Sequence, residues 1–214
     1  MGDGKEHTLH VTAASGMTSF FTPDSKRLSS FSGFVEWGQV LERLPLATRR
    51  LDDIEQVAHM DMLKIDVQGS ELMVFRGAQR LLQEAVAVQT EVPFVPLYEN
   101  QPVFGDVDNA LRDHGFLPHM FAAIKRWPIA PVVYDGDFRK PMNQVLEADV
   151  VYVRDFTDSA QMPDEQLMHL AYISHCLYGS SDLAHCCLLA LRDRNVVPTD
   201  APETYLLKAH GGLP

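Results

Sequence analysis

The sequence predicts an α/β fold built around a βαβ unit, and three stretches carry that prediction. A β-rich run ends in Leu63-Lys64-Ile65-Asp66, and a glycine turn follows at Gly69. Apolar residues then recur at Leu72, Phe75, Ala78 and Leu82, which is helical spacing. Ala85 to Glu91 is a second apolar run closing on a carboxylate. Strands that read as near-continuous apolar runs suit a parallel sheet covered on both faces.

Thr8 to Thr12 alternates with the period of a strand, and Ala14-Ser15-Gly16 supplies turn residues, so a short strand and a loop precede the unit. The stretch 22–32 holds Ser, Asp and Pro without periodicity and is expected to be surface loop with at most one helical turn. A second strand is expected from Leu46 to Arg49, then a helical turn at Leu51-Asp52-Asp53-Ile54. Beyond the unit, Val107, Ala110 and Leu111 share one face of a helix between Phe104 and His114, with Gly115 at its C′ position. A strand from Phe116 to Phe121 follows, and Glu147 to Val153 forms another. The connection between them, Trp127 to Met142, is long enough for a hairpin excursion or a lid.

After Asp158 the texture changes. Pro163-Asp164-Glu165 starts a helix, with proline in the first turn and acids at the positive end of the dipole. Leu167, Leu170, Ala171, Ser174, Leu177 and Tyr178 form its apolar stripe. Gly179-Ser180-Ser181 breaks it, and Leu183, Cys186, Cys187, Ala190 and Leu191 stripe a second helix. The expected organisation is an α/β domain over residues 1–157 and a helical extension, an αα-hairpin, over 158–214 that packs beside the sheet or against another copy in a homo-oligomer.

Composition narrows the function. A formal net charge of −11, with basic residues scattered apart from short pairs such as Arg49-Arg50, argues against a nucleic-acid partner, because phosphate contacts need clustered Lys and Arg. Three cysteines, all late in the chain, are too few for a disulfide framework and fit a reducing cytoplasm. The opening residues have no apolar leader, and no run reaches the ~18 apolar residues of a spanning helix, so no membrane partner is expected.

In open α/β sheets, ligands bind outside the carboxyl ends of the strands. Asp66 and Glu91 stand at two such ends, and Glu71 lies in the first turn of the helix after Asp66. Spacing alone leaves two readings open for these three: site groups, or cap and turn carboxylates. A metal-dependent hydrolase would use the same three as ligands, and it requires them to converge within metal-bonding distance. His175-Cys176 and His185-Cys186-Cys187 lack a C-x₂-C pair and lie on or near apolar stripes, so core packing is expected there and no metal. Tyr98 to Asp106 suits either an acceptor pocket or an ordinary ordered loop, and Trp127 with Lys125 and Arg126 forms an exposed aromatic–cation cluster able to meet an acidic or sugar substrate.

Leu63-Lys64-Ile65-Asp66-Val67-Gln68-Gly69-Ser70-Glu71, with Leu51-Asp52-Asp53 upstream and Gly77-Ala78 downstream, resembles the signature of the FkbM methyltransferases, which runs approximately L-K-I-D-V-E-G-A-E with a later G-A. The likeness extends to Gly16-Met17-Thr18-Ser19 and Val88-Gln89-Thr90-Glu91-Val92, and covers roughly residues 2–155. It implies a Rossmann-like class I methyltransferase sheet and S-adenosyl-L-methionine as cofactor. A small-molecule acceptor, a hydroxyl of a sugar or metabolite, would receive the methyl group. By the same resemblance Asp66, Gln68 and Gly69 lie at the cofactor, and Asp66, Glu71 and Glu91 form the catalytic set. Gln68 stands where the family usually has Glu. The family's opening strand, its D-x-G-A-N-x-G loop and its second strand have no counterpart in these residues. The resemblance therefore implies a domain incomplete at its N-terminus, with weak or absent cofactor binding, and the alternative function is a non-catalytic remnant that binds an acceptor or a partner subunit.

Overall fold

The computed structural model describes residues 1–209 and residue 211. Its first unit is a two-stranded antiparallel ribbon, β1 (Glu6–Thr12) with β2 (Val40–Ala47). Two single-turn helices, α1 (Ser25–Leu28) and α2 (Phe34–Trp37), fill the excursion between the strands. The second strand thus starts earlier than expected and ends at Ala47, because its register is dictated by pairing with β1, Glu6 lying opposite Ala47. Met17, Leu28, Phe31, Phe34, Leu97, Tyr98, Trp127 and Leu146 bury together beneath this excursion and tie it to the main sheet.

The main sheet has the order β3 (Met62–Ile65), β4 (Ala87–Pro93), β6 (Gln144–Arg154), β5 (Phe116–Trp127). β3 and β4 are parallel, but β6 runs antiparallel to both β4 and β5. The wholly parallel sheet expected from the apolar runs is therefore corrected to a mixed one. Apolar runs report burial on both faces, and they carry no information on strand direction. β3 has a neighbour on one edge only among the described residues.

Between β3 and β4 the expected single helix is two, α3 (Glu71–Arg76) and α4 (Gln79–Glu84), broken at Gly77-Ala78. A Cβ at Gly77 would sit 2.3 Å from the Gly2 carbonyl oxygen, so the chain can pass there only as glycine. Asp52 caps the second piece from a distance, its carboxylate accepting from the Arg80 and Leu81 N–H groups at 3.0 and 3.1 Å. Those bonds account physically for Asp52 and Gly77 in the signature.

Alternation sorts the strands onto two cores. Val88, Val92, Val150 and Tyr152 face α3, α4 and α5 (Phe104–Asp113). Ala87, Val151 and Val153 face α6 (Asp164–Tyr178) and α7 (Ser181–Asp193), through Leu167, Leu170, Leu183, Cys187 and Leu191. A further helix, α8 (Ala201–Ala209), follows Pro198 and has a weak apolar stripe that periodicity did not single out. No described helix is long and apolar enough to cross a membrane.

β5 runs to Trp127 and makes that ring part of the core, at 8 % exposure, so the exposed cluster expected there is corrected for its aromatic member. At the far end of the sheet, Arg154 donates to the carbonyls of Leu82, Ala85 and His114 at 2.5, 2.5 and 2.6 Å. Its guanidinium lies 4.3 Å from the Phe116 ring centroid.

Candidate active site

The turn leaving β3 sets the site. Gln68 and Gly69 both take left-handed backbone, φ 51° and 95°. At Gly69 a Cβ would also meet the Gln101 amide at 3.0 Å, so glycine is required twice over. Gln101 is itself fixed, its Oε1 accepting from the Leu97 and Tyr98 N–H groups. Non-glycine residues rarely adopt positive φ, and such residues concentrate at functional sites. Here the conformation turns the Gln68 side chain toward the strand ends while its carbonyl accepts from the Ser19 hydroxyl at 2.7 Å.

Asp66 and Glu91 are neighbours because Ile65 pairs with Thr90 in the parallel register. The Gln68 amide bridges them, donating to Asp66 Oδ1 at 2.7 Å and to Glu91 Oε2 at 3.2 Å. Glu71 reaches back from the first turn of α3, and its Oε1 accepts from the Val67 and Gly69 N–H groups at 3.0 and 3.3 Å. One oxygen from each of Asp66, Glu71 and Glu91 lies within 4.8 Å of the others, a spacing able to hold a metal ion. The convergence required of a metal-ligand trio is thus met geometrically, while the donors already around it serve the same charges. The three cysteines are free thiols, and burial pushes that of Cys187 up to about 12.

Environment divides the three carboxyls. Asp66 is exposed. Glu71 is 2 % exposed, and burial raises its pKa against the two backbone N–H groups that favour its charge. Glu91 is pushed up to about 9, by burial first and then by the negative charges of Glu147, Asp66 and Glu71. Lys125 opposes that shift and is ion-paired with Glu147 on the neighbouring strands β5 and β6. The arrangement is an exposed carboxyl, Asp66, joined through the Gln68 amide to a second carboxyl, Glu91, that keeps its proton at neutral pH.

Asp66, Val67 and Gln68 form one wall of a cavity of about 460 Å³ whose other walls include Leu9, Ser15, Thr18, Ser19 and Phe20 from the ribbon and its loop. The family model described as "Methyltransferase FkbM domain" matches residues 2–118, more than half of the 214. The chain belongs to the FkbM methyltransferase family. No curated protein and no solved structure matches it. The FkbM match spans the ribbon, the βαβ unit and α5, so Asp66, Gln68, Gly69, Glu71 and Glu91 all fall inside it.

Lys125 and Glu147 lie outside the FkbM match; the sequence offers Lys125 as part of an aromatic–cation cluster but not as a neighbour of the carboxylates, and it does not mark Glu147. Their signal was present only in hindsight of strand pairing, since Lys125 and Glu147 are opposite partners in the β5–β6 register. In the 98–106 segment the Tyr98 hydroxyl donates to the Met17 carbonyl, and Asp106 accepts from the Val103 N–H at the start of α5.

Proposed function

We propose that this FkbM protein transfers a methyl group from S-adenosyl-L-methionine to a hydroxyl of a sugar or other small metabolite, on a Rossmann-like class I sheet. The observation that carries the reading is the Asp66–Gln68–Glu91 bridge at the carboxyl ends of two parallel strands, whose Asp66 and Gln68 line a cavity of about 460 Å³. That volume falls within the ordinary range for small-molecule sites, roughly 300–1,000 Å³. An acidic wall bordered by Ser15, Thr18 and Ser19 hydroxyls fits a polar donor whose reactive centre is positively charged.

When bound, S-adenosyl-L-methionine supplies a methyl group activated by a sulfonium. Asp66 and Gln68 stand nearest to hold it, with Gly69 shaping the turn. Asp66, exposed at the strand end, accepts the proton of the acceptor hydroxyl or orients it. Gln68 fixes the Asp66 oxygen, and Glu91, holding its proton, is a hydrogen-bond donor to an acceptor oxygen. Glu71 is a positioning residue, since its hydrogen bonds go to the turn. The remaining contribution is holding two reactants in line.

A non-catalytic chain that binds an acceptor or a partner subunit is the second reading, and the edge of β3 left unpaired among the described residues suits the partner. Calorimetric titration with S-adenosylhomocysteine separates the two. Saturable binding below ~1 mM is expected. With a methylatable acceptor, Asp66→Asn should then cut the rate by about 10²–10⁴-fold and, because Asp66 also stands at the donor, weaken S-adenosylhomocysteine binding as well. No heat of binding from the wild-type chain would rule out the donor and leave the second reading.

A further inference from the structure

Across the Lys125–Glu147 ion pair from the carboxylates lies a cavity of opposite charge. It encloses about 480 Å³ and is walled by Ile124, Lys125, Arg126, Trp127, Arg139 and Pro141. Three cations on one cavity stand out in a chain of net charge −11. Lys125 is committed to Glu147. Arg126 has no ion pair or side-chain hydrogen bond among the described residues. Arg139 is held only through its flat face, its guanidinium 5.2 Å from the Trp37 ring centroid and 5.4 Å from that of Phe138. Stacking of this kind orients a guanidinium and leaves its edge N–H groups free to fork onto an oxyanion.

The wall behind these arginines is rigid. Trp127 meets Phe34 and Trp37 edge-on, with ring centroids 5.1 and 5.8 Å apart. Its indole N–H is buried with no hydrogen-bond partner. Lys125 belongs to this wall and is ion-paired with Glu147, whose partner on β4 is Pro93, two residues beyond Glu91, so the cavity lies at the same end of the sheet as the carboxylates.

We infer that this cavity holds the anionic group, a carboxylate or phosphate, of the acceptor whose hydroxyl reaches Asp66. The inference rests on the methyltransferase reading for the word acceptor, and on the cavity alone for the anion. Arg126 and Arg139 take the oxyanion, the Trp127 wall takes the apolar face of the same molecule, and Lys125 marks the boundary between the two subsites. A neutral analogue leaves both guanidinium groups without a partner and binds less well.

Of the chain's two tryptophans, Trp127 lines this cavity and Trp37 stacks with its Arg139, so intrinsic fluorescence reports its occupancy without any methyl donor. The full chain would be titrated separately with glucuronate, glucose 1-phosphate and glucose. A saturable change with at least one anion and none with glucose is expected, and the anion that responds more tightly identifies the carboxylate or the phosphate as the source. Arg126→Gln and Arg139→Gln, each checked for an unchanged circular dichroism spectrum, should each weaken that binding about ten-fold. Equal response to glucose, no response to either anion, or wild-type affinity in both variants would overturn the proposal. Failure to bind S-adenosylhomocysteine would leave this fluorescence result intact, so the two readings fail separately.

Discussion

At one end of β4, the half-buried Arg154 guanidinium is ringed by carbonyl oxygens, and all three of its nitrogens donate at 3.2 Å or less. At the other end of the same strand, Glu91 faces three further carboxylates and has one amide, from Gln68, to offset them. Both ends bury charge within one sheet, and they handle it oppositely. The satisfied cation stays charged although burial lowers its pKa, and it fastens α4, α5 and β6 together. The crowded carboxyl keeps a proton at neutral pH. Buried charge that is fully hydrogen-bonded serves the fold, while charge left crowded is available for chemistry.

The sharpest way to break this comparison is at the satisfied end. Arg154→Met keeps the aliphatic stem and strands the carbonyls of Leu82, Ala85 and His114, which water can rescue only in part. A loss of about 3 kcal/mol in urea unfolding is expected. Arg154→Lys should recover less than half of it, because an ammonium cannot fork to carbonyls on both sides. A loss under about 0.5 kcal/mol in the methionine variant would show that this end is not held by the cation.

The same contrast explains what could be read in advance. The βαβ unit was legible because strand and helix periods change at Asp66, and Asp66 and Glu91 were legible as neighbours because parallel strand ends lie side by side. Glu71 lay in the same stretch, but its backward reach to the Val67 and Gly69 N–H groups depends on a side-chain direction that spacing does not encode. Glu147 was not marked, and Lys125 was not placed beside the carboxylates, because β6 inserts between β4 and β5 by non-local pairing. Trp127 read as exposed for the same reason: β5 continues past Phe121, and its last residue turns into a core whose other members come from Met17 to Phe34 and from Leu97. Arg154 had no local pattern, since its partners are 40 to 72 residues away in the chain.

A smaller effect sharpens the crowded end. Glu91 binds a proton in the native state up to about pH 9, whereas its ordinary value is 4.5. Between those values the native state holds a proton that the unfolded state has released, so stability falls as pH rises, by at most about 1.4 kcal/mol per unit. The contribution is fully present below the ordinary value and gone above the raised one. Glu91→Gln keeps the shape without the titration. Its urea midpoint should change less than that of the wild type between pH 6 and 8, with a relative gain of about 1–2 kcal/mol at the higher pH. Parallel curves for the two proteins would mean that Glu91 is ionised and solvated across this range.

The finest test concerns the amide that joins the two carboxyls. FkbM proteins usually have Glu at position 68, so Gln68→Glu moves this site toward the commoner pattern. It removes a donor to Asp66 Oδ1 at 2.7 Å and places a fourth carboxyl beside Asp66, Glu71 and Glu91. Near pH 6 the proton on Glu91 can be shared with the new carboxylate, which limits the cost to about 1 kcal/mol, and the cost should grow as pH rises and that proton is lost. Combining Gln68→Glu with Glu91→Gln returns one amide to the pair from the opposite side and leaves the number of carboxyls unchanged. If the bridge is what stabilises this end of the sheet, the double variant should be more stable than the sum of the two single changes by about 0.5 kcal/mol or more at pH 8. Strict additivity would place the stabilising contact of Gln68 in its backbone, through the Ser19 hydroxyl, and not in its amide.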